Sequence, residues 1–511
     1  MNAFLMCKGR DFNLQQGLPW NEPALTQDLA LNTLFNAMAL GDKFLFEVAK
    51  TTVLSGLSDL DTIIYRQNIL KDCLKNPSVV RDIYALAGEA IESRKKTWWG
   101  ISSSSPSLIL SSSVGLLQIF ADILRRLKNI TNEHAHKFES EGFATLFTMI
   151  KKELNDEYFA SIQNHLRELR FPSGVFISAE LGKGNEGINY ILRKPQKKKR
   201  EWIKRVFNQK SPVYTFRIDP HDIGGGQALS ELNNRAINLV ANAVAQSADH
   251  IHSFFNMLRI ELAFYIGCLN LYEQLVQMEE PITFPLPVAV AERRHSFSGL
   301  YDVCLALTMK QKVAGNKVNA DNKDLVVITG ANQGGKTTFL RSIGLAQLMM
   351  QSGMFVPAES FSGNVCDGIF THFKREEDVT MESGKLDEEL KRMSEIVDHL
   401  TSNSLLLFNE SFAATNEREG SEIAWQITSG LLEKGIKVFF VTHQYEFAHR
   451  LHDQNIENAI FLLAERQSDG TRTFKLVEGE PLQTSYGEDL YKRIFGTAPS
   501  NSDIAKAVVQ E

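Results

Sequence analysis

The residues most suited to chemistry stand in "ITGANQGGKTTFLRSIG", residues 328–344. Gly330, Gly335, Lys336 and Thr337 fit the pattern G-x-x-x-x-G-K-[ST], directly after an apolar run and before a helical pattern. In such a loop the glycines let the backbone wrap around phosphates, and amides at the helix N-terminus face their negative charge. The lysine reaches the terminal phosphates, and the threonine hydroxyl takes magnesium. The segment predicts a nucleotide-binding site.

A second chemical element is "LLLFNE", residues 405–410, about 70 residues downstream. The apolar run is typical of a buried strand. At the end of a strand in this position, one acidic residue commonly holds magnesium through water, and the acidic residue after it orients and deprotonates the attacking water. Asn409 keeps an oxygen but lacks the charge, whereas Glu410 retains the carboxylate that general-base chemistry requires. We expect weaker attraction for the metal and retained hydrolysis.

Two further segments could contact a nucleotide. The run "VFFVTH" ends at His443, whose side chain could donate to a γ-phosphate and report its presence. Ser383 and Gly384 precede a charged helical segment, where their amides and hydroxyl could bind an anion. In isolation, a histidine there is more often structural, and a Ser-Gly pair is more often an ordinary helix cap.

The elements that must position these residues follow from hydrophobic patterning. From about residue 285, the apolar runs "DLVVITG", "SLLLFNE", "KVFFVTH" and "NAIFLLA" alternate with helical stretches. That alternation predicts buried strands of a largely parallel sheet, which binds ligands at the carboxyl ends of its strands. The C-terminal part is therefore predicted to be an α/β nucleotide-binding domain.

The part before it is predicted to be mainly helical. Over residues 23 to about 170, apolar residues recur at spacings of three and four residues, as on one face of a helix. The segments "FPSGVFISAEL", "GINYILRKP" and "SPVYTFRIDP" instead alternate apolar and polar residues, as short strands do. After glycines 224–226 an apolar stripe continues for about 50 residues, which as one helix would span roughly 75 Å. The alternative is two core helices broken near Ser247 or Gly267.

A basic run lies in the β-containing insert, at residues 191–210. It holds nine basic residues against one acid, a local charge of +8 in a chain of net charge −6. Basic runs are often only solvated loops, yet they also bind phosphates of nucleic acid without reading its sequence. The candidate DNA-binding residues are Arg193, Lys194, Lys197, Lys198, Lys199, Arg200, Lys204 and Arg205, with Trp202 beside them.

Composition limits the remaining classes of protein to which the chain could belong. The chain has 511 residues, 43% hydrophobic and 23% charged, which is typical of a multidomain globular protein. Its five cysteines are scattered without a CxxC pair, so neither a disulfide framework nor a zinc knuckle is indicated. The N-terminus lacks a secretory signal pattern, and the apolar segment after residue 107 contains serines and Asp122. We expect a cytoplasmic protein without a membrane partner.

Taken together, the motifs resemble the ATPase domain of the MutS proteins of DNA mismatch repair. The resemblance covers about residues 285–496 and rests on "TGANQGGKTTFLRSIG", "LLLFNESFAATNEREGSEIAWQI", "VFFVTHQYEFAHRL" and "TSYGEDLYKRIFG". It implies an ABC-type head that dimerises, each site being completed by the partner's signature loop. The implied ligands of ATP and Mg²⁺ are Gly330, Asn332, Gly334, Gly335, Lys336, Thr337 and Thr338, with Asn409 and Glu410 at the metal.

The resemblance also implies individual roles. Glu410 is the general base, His443 the sensor, Ser383 and Gly384 the residues offered to the partner's γ-phosphate, and "FAATNEREG" the loop that couples two sites. The sequence departs from the family pattern in three ways. Helical patterning begins near residue 23 without the Phe-x-Glu mismatch-reading domain or the connector domain, Asn409 replaces an aspartate, and "SGKLDEEL" replaces the usual signature run.

The predicted architecture is multidomain, with a mainly α-helical core and lever, a small β-containing clamp insert and an α/β P-loop NTPase domain. The expected ranges are 1–175 for the helical core, 176–223 for the basic clamp-like insert, 224–284 for the lever helix, 285–496 for the ATPase domain and 497–511 for the tail. The expected function is an ATP-dependent DNA-binding clamp, a slow Mg²⁺-dependent ATPase and homodimer, acting on branched or recombination DNA. Mismatch binding and an ATP-gated protein scaffold with little DNA affinity are the alternatives.

Overall fold

The computed structural model of the protein describes residues 1–98, 105–194, 214–375, 384–467 and 471–483. Contacts divide the chain into two units. The first contains residues 1–3, 78–139 and 143–260, and the second contains residues 4–77, 140–142 and 261–511. Both units draw on separate stretches of sequence, and the domain ranges expected from sequence remain predictions.

The α-helices are α1 (Glu22–Asp28), α2 (Leu31–Ala39), α3 (Lys43–Leu54), α4 (Leu60–Lys75), α5 (Pro77–Trp98), α6 (Pro106–His134), α7 (Glu141–Glu153), α8 (Asp156–Glu168), α9 (Ile223–Gln277), α10 (Val303–Met309), α11 (Lys336–Gln351), α12 (Lys385–Val397), α13 (Glu417–Glu433) and α14 (Tyr445–Asp453). The strands are β1 (Phe176–Leu181), β2 (Gly187–Arg193), β3 (Leu286–Val288), β4 (His295–Leu300), β5 (Asn316–Asn319), β6 (Leu325–Gly330), β7 (Ser360–Asn364), β8 (Ile369–Phe373), β9 (Leu405–Asn409), β10 (Lys437–Val441), β11 (Ala459–Arg466) and β12 (Arg472–Glu478).

The first unit is helical with one hairpin. Its described core joins α6, α8 and α9 through buried apolar residues such as Val114, Leu166 and Ala241. Strands β1 and β2 pair in antiparallel fashion, Phe176 opposite Arg193, and leave most of their side chains exposed or half-buried. The third strand expected over residues 211–220 is not formed in its described part, residues 214–220. Tyr214 and Phe216 are 89% and 85% exposed there, so the alternation of apolar and polar residues does not correspond to a strand in this segment.

The helix α9 is continuous over 55 residues, as the single-helix interpretation of its apolar stripe predicted. The boundary between the two units falls within it. Two described helical segments, Pro106–Lys137 and Ile223–Gln277, are long and apolar enough to cross a membrane. Their most apolar windows are 44% and 83% buried inside the protein, as core helices of soluble proteins also are, so this is weak evidence for a membrane span.

The second unit is built around a six-stranded sheet in the order β12-β11-β6-β10-β9-β8. The pairs among β11, β6, β10, β9 and β8 are parallel, and β12 is antiparallel to β11. Every residue of β6 and of β10 is buried, as expected for strands covered on both faces. The four apolar runs predicted as parallel strands are therefore confirmed, and a mixed helical and α/β multidomain fold is observed.

Packing around this sheet fixes the strand ends that matter for the site. Buried residues of α12, α13 and α14, including Met393, Ala424 and Phe447, pack with Phe408 and Phe440 of β9 and β10. A second, four-stranded sheet has the order β3-β7-β4-β5. Because β6, β10 and β9 are parallel neighbours, their carboxyl ends lie side by side.

Candidate functional site

The loop between β6 and α11 has the backbone of a phosphate cradle. Gly330, Gln333 and Gly335 have positive φ angles of 102°, 59° and 88°. A Cβ atom on Gly334 would lie 2.7 Å from the Cβ of Ala464 in β11 and 2.9 Å from the carbonyl oxygen of Ala331. The loop therefore needs glycine both for its turn and for its closeness to β11. The first amides of α11 lack helical acceptors, as in anion-binding loops.

Lys336 lies inside this loop. Its side chain is buried, and Nζ donates to the carbonyl oxygens of Gly330 at 3.1 Å and Ala331 at 2.9 Å. Burial lowers the pKa of Lys336 to about 8, against the opposing effect of the nearby Glu410 carboxylate. The amine is thus held where a phosphate on the loop would contact it. Because burial disfavours its charged form, a negatively charged group beside it stabilises the positive charge.

Thr337 and Asn409 meet across the sheet. Thr337 is in the first turn of α11, Asn409 ends β9, and Thr337 Oγ1 donates to Asn409 Oδ1 at 2.9 Å. This contact fixes the oxygen of the amide toward the phosphate loop. A hydroxyl and an amide oxygen are suitable neutral ligands for a hard cation or its waters. The pair therefore fits Mg²⁺, with less negative charge than an aspartate would supply.

Glu410 and His443 form the second pair of polar residues. Val441 of β10 is the register partner of Asn409 in β9, so the residues that follow each strand are also close. His443 Nε2 lies 2.8 Å from Glu410 Oε1, and both side chains are about 30% exposed, at 30% and 31%. The hydrogen bond from His443 lowers the pKa of Glu410, although burial opposes it. Glu410 is therefore an ionised carboxylate at neutral pH, facing the loop.

Lys336, Thr337, Glu410 and His443 line one cavity of about 510 Å³, whereas Asn409 is not among its lining residues. Asn332, Gly334, Gly335, Lys336, Thr337 and Thr338 line it together with Glu410 and His443. Gly330 is not among its lining residues and contributes through its turn and its carbonyl group. An apolar wall comes from Leu300, Leu305, Met309 and Phe474, and the polar residues Asp302, Gln311, Lys312 and Asn316 also line the cavity. Polar groups for phosphates and an apolar wall are the two requirements of a nucleotide site.

The apolar wall was not anticipated from the sequence. Phe474 is on β12, 138 positions after Lys336, and its ring lies 3.5 Å from the position that a Cβ atom on Gly335 would occupy. Arg472, on the same strand, donates from Nε to the carbonyl oxygen of Asn332 at 3.2 Å. No local motif marks these residues, because the antiparallel return of β12 beside β11 brings them to the loop.

The remaining predicted site residues are less informative. Gly384 is exposed and is the N-cap residue of α12, where no side chain accepts a hydrogen bond from the first amides of the helix. Ser383 lies outside the described residues. Arg193 and Lys194 are exposed at the end of β2, where Arg193 Nε donates to Ser178 Oγ at 3.0 Å and Lys194 pairs with Glu168 at 2.8 Å. The other predicted DNA-binding residues lie outside the described residues, namely Lys197, Lys198, Lys199, Arg200, Lys204 and Arg205. So does the segment "TSYGEDLYKRIFG".

Family models match two long parts of the chain. Residues 58–278 match the MutS2 N-terminal domain, and residues 326–501 match MutS domain V. The chain is 33% identical to a DNA mismatch repair protein MutS of Thermotoga sp. (strain RQ2) over 235 residues, which are 44% of this chain and 29% of the relative.

Two further relatives carry different names. The chain is 31% identical to an Endonuclease MutS2 of Lacticaseibacillus paracasei over 286 residues, 54% of this chain and 35% of the relative. It is 27% identical to MutS protein homolog 4 of Mus musculus over 275 residues, 51% of this chain and 27% of the relative. The chain thus spans about a third or less of the length of these relatives.

Proposed function

The chain belongs to the MutS family, and from that premise we propose that it is an ATP-dependent DNA-binding clamp. It binds and hydrolyses ATP in a dimeric ABC-type head, and the nucleotide controls its engagement with DNA. The observation that carries the proposal is the cavity lined by the glycine-rich loop together with Lys336, Thr337, Glu410 and His443. A phosphorylated ligand would use all of these groups.

The bound nucleotide would follow the two halves of the cavity. Its phosphates lie along residues 330–338, with Lys336 at the terminal phosphates and the amides of α11 at their oxygens. Its base packs on the apolar wall, where Met309 and Phe474 are 49% and 51% exposed. ATP has the charge and the apolar ring that such a divided cavity needs.

Hydrolysis would use Glu410 as the general base. The carboxylate accepts a proton from a water molecule whose oxygen forms a bond to the γ-phosphorus, while the bond to the oxygen of ADP breaks. The pKa of Glu410, lowered by its hydrogen bond with His443, keeps the carboxylate ionised and ready to accept that proton. Mg²⁺, held near Thr337 and Asn409, would neutralise charge on the phosphates. The neutral amide of Asn409 favours a slow ATPase.

Binding to DNA would involve the basic insert. Arg193 and Lys194 at the end of β2 are exposed and begin the run of nine basic residues. Contacts of this kind address the phosphate backbone and the shape of DNA, not its bases. We expect a preference for branched or recombination DNA. Mismatched DNA is the competing substrate, because one relative is named as a DNA mismatch repair protein.

Two measurements on the same preparation test the proposal. Glu410→Gln should retain ATP and lose turnover, and an unaltered hydrolysis rate would exclude Glu410 as the base. Binding to duplex, junction and mismatched oligonucleotides should be salt-sensitive and should change with ATP. Absence of binding to every DNA at low salt would exclude the clamp and favour an ATP-gated protein scaffold.

A further inference from the structure

The turn that carries Glu410 has an unusual backbone. Glu410 and Phe412 have φ angles of +53° and +61°, although neither is glycine. Such conformations are costly and persist only where the surroundings impose them. The direction of the Glu410 carboxylate is set by this turn, so the contacts that impose it bear on hydrolysis.

One group of contacts comes from α12. Glu389 is 5% exposed, and its Oε2 accepts a hydrogen bond from the amide of Phe412 at 2.8 Å. Burial raises the pKa of Glu389, while that hydrogen bond acts in the opposite direction. The carboxyl group therefore lies in a protected position, and one of its oxygens is committed to the backbone of the turn.

A second group of contacts comes from His372 in β8, which is fully buried. Ser411 Oγ donates to the carbonyl oxygen of His372 at 2.6 Å and lies 2.7 Å from its Nδ1. The imidazole also stacks on the ring of Phe412, with centroids 5.2 Å apart and planes 20° apart. Its Nε2 lies 3.0 Å from the carbonyl oxygen of Glu389, which joins the two groups of contacts.

Burial, reinforced by the charge of Arg392, lowers the pKa of His372 to about 4. The ring is therefore neutral at physiological pH and acts through hydrogen bonds and stacking. On the other side of the turn, Gln444 Nε2 donates to the carbonyl oxygen of Phe412 at 2.9 Å. Both the amide and the carbonyl group of Phe412 are thus held by side chains from separate elements, which is how a strained turn is maintained.

We propose that Glu389 and His372 are positioning residues that hold the Glu410–Phe412 turn so that the Glu410 carboxylate faces the terminal phosphate. The inference rests on the proposed ATP hydrolysis and adds residues that touch neither nucleotide nor metal. The hydrogen bonds of Lys336 within the phosphate loop involve neither Glu389 nor His372, because its Nζ donates to the carbonyl oxygens of Gly330 and Ala331. Loss of the contacts should therefore lower kcat and leave nucleotide affinity nearly unchanged.

The test compares three variants with the wild-type chain. Glu389→Ala removes the acceptor for the Phe412 amide, Glu389→Gln keeps an acceptor oxygen, and Glu395→Ala removes an exposed carboxylate from the same helix as a control. Because a misplacement of about 1 Å can cost a factor of up to about 100, we expect Glu389→Ala to lower kcat roughly 10- to 100-fold. Affinity for ATP and the temperature of unfolding are measured on each variant. Glu389→Gln should recover most of the loss, and Glu395→Ala should match the wild type.

The outcomes separate the two proposals. A wild-type chain that neither binds nor hydrolyses ATP overturns the proposed function and this inference with it. A hydrolysing wild type with equal kcat in Glu389→Ala and Glu395→Ala overturns the positioning role alone, as does an equal fall of kcat and affinity. If Glu389→Ala does not fold, Ser411→Ala decides, because it removes only the hydroxyl that joins the turn to His372. An unchanged kcat in that variant overturns the inference, and a lower kcat with retained affinity supports it.

Discussion

Gly420 in α13 offers a direct test of how closely the Glu410 turn is packed. A Cβ atom at this position would lie 2.3 Å from the carbonyl oxygen of Phe412 and 2.6 Å from Nε2 of Gln444. Both distances are below any normal contact, and one of the two neighbours is backbone. Gly420→Ala must therefore displace the turn, the start of α13 or the Gln444 side chain.

The expected cost follows from two contributions. Overpacking a well-packed site costs about 1–3 kcal/mol, and breaking the buried hydrogen bond from Gln444 to Phe412 costs about 1–3 kcal/mol more. Gly430 provides the control, because it is exposed on the same helix and a Cβ atom there would meet nothing within 4 Å. Alanine raises helix propensity at both positions by about 0.5–1 kcal/mol, which cancels in the comparison. The two variants should therefore differ by about 2–6 kcal/mol.

Hydrogen exchange of peptides from α13 measures this difference locally, without contribution from the other unit. A difference of 2 kcal/mol corresponds to about a 30-fold change in protection. Gly430→Ala should be at least as protected as the wild type, and Gly420→Ala should be less protected and slower in hydrolysis. Equal protection of the two variants would refute the close approach of Gly420 to Phe412.

Three other expectations follow from the site. Asn409→Asp should lower the Mg²⁺ concentration needed for half-maximal hydrolysis by roughly tenfold and raise turnover, because it adds a negative charge at the metal. An unchanged dependence on Mg²⁺ would show that the amide of Asn409 does not weaken metal binding. Since the pKa of Lys336 in the nucleotide-free protein is lowered to about 8, affinity for ATP should fall as pH rises from 7 to 9, and Lys336→Met should bind ATP more weakly and without this fall. Charge reversal at residues 197–200 should weaken binding to every DNA and reduce the slope against log salt by about 0.9 for each DNA phosphate that the variant no longer neutralises; unchanged affinity would make the basic run a solvated loop.

The sequence predicts the parts of this protein that depend on local patterning. The strands β6, β9, β10 and β11 are continuous apolar runs, and the long stripe of α9 forms one helix. The proximity of Lys336 and Thr337 to Glu410 and His443 also follows, because these residues stand at the carboxyl ends of parallel strands. Their catalytic roles remain predictions.

Contacts between distant elements could not be predicted in the same way. The wall at Phe474 depends on the return of β12, and the contact of Glu389 with the Phe412 amide depends on how α12 packs beside β8. Either glutamate in "DEEL" fits a helical surface, and only the fold decides that Glu389 is buried and Glu388 is not. Residues 214–219 show the opposite limit, because their alternation of apolar and polar residues had no partner strand among the described residues.

The exposed wall of the cavity has a thermodynamic consequence. Met309 and Phe474 each leave about half of their surface in water, at 49% and 51%. A nucleobase that covers them would remove apolar surface from water, so ATP binding would carry a negative change in heat capacity. Tripolyphosphate offers comparable charge without a base and would leave the wall wet. The enthalpy of binding should then become more favourable with temperature for ATP and stay nearly constant for tripolyphosphate, which separates recognition of the base from recognition of the phosphates.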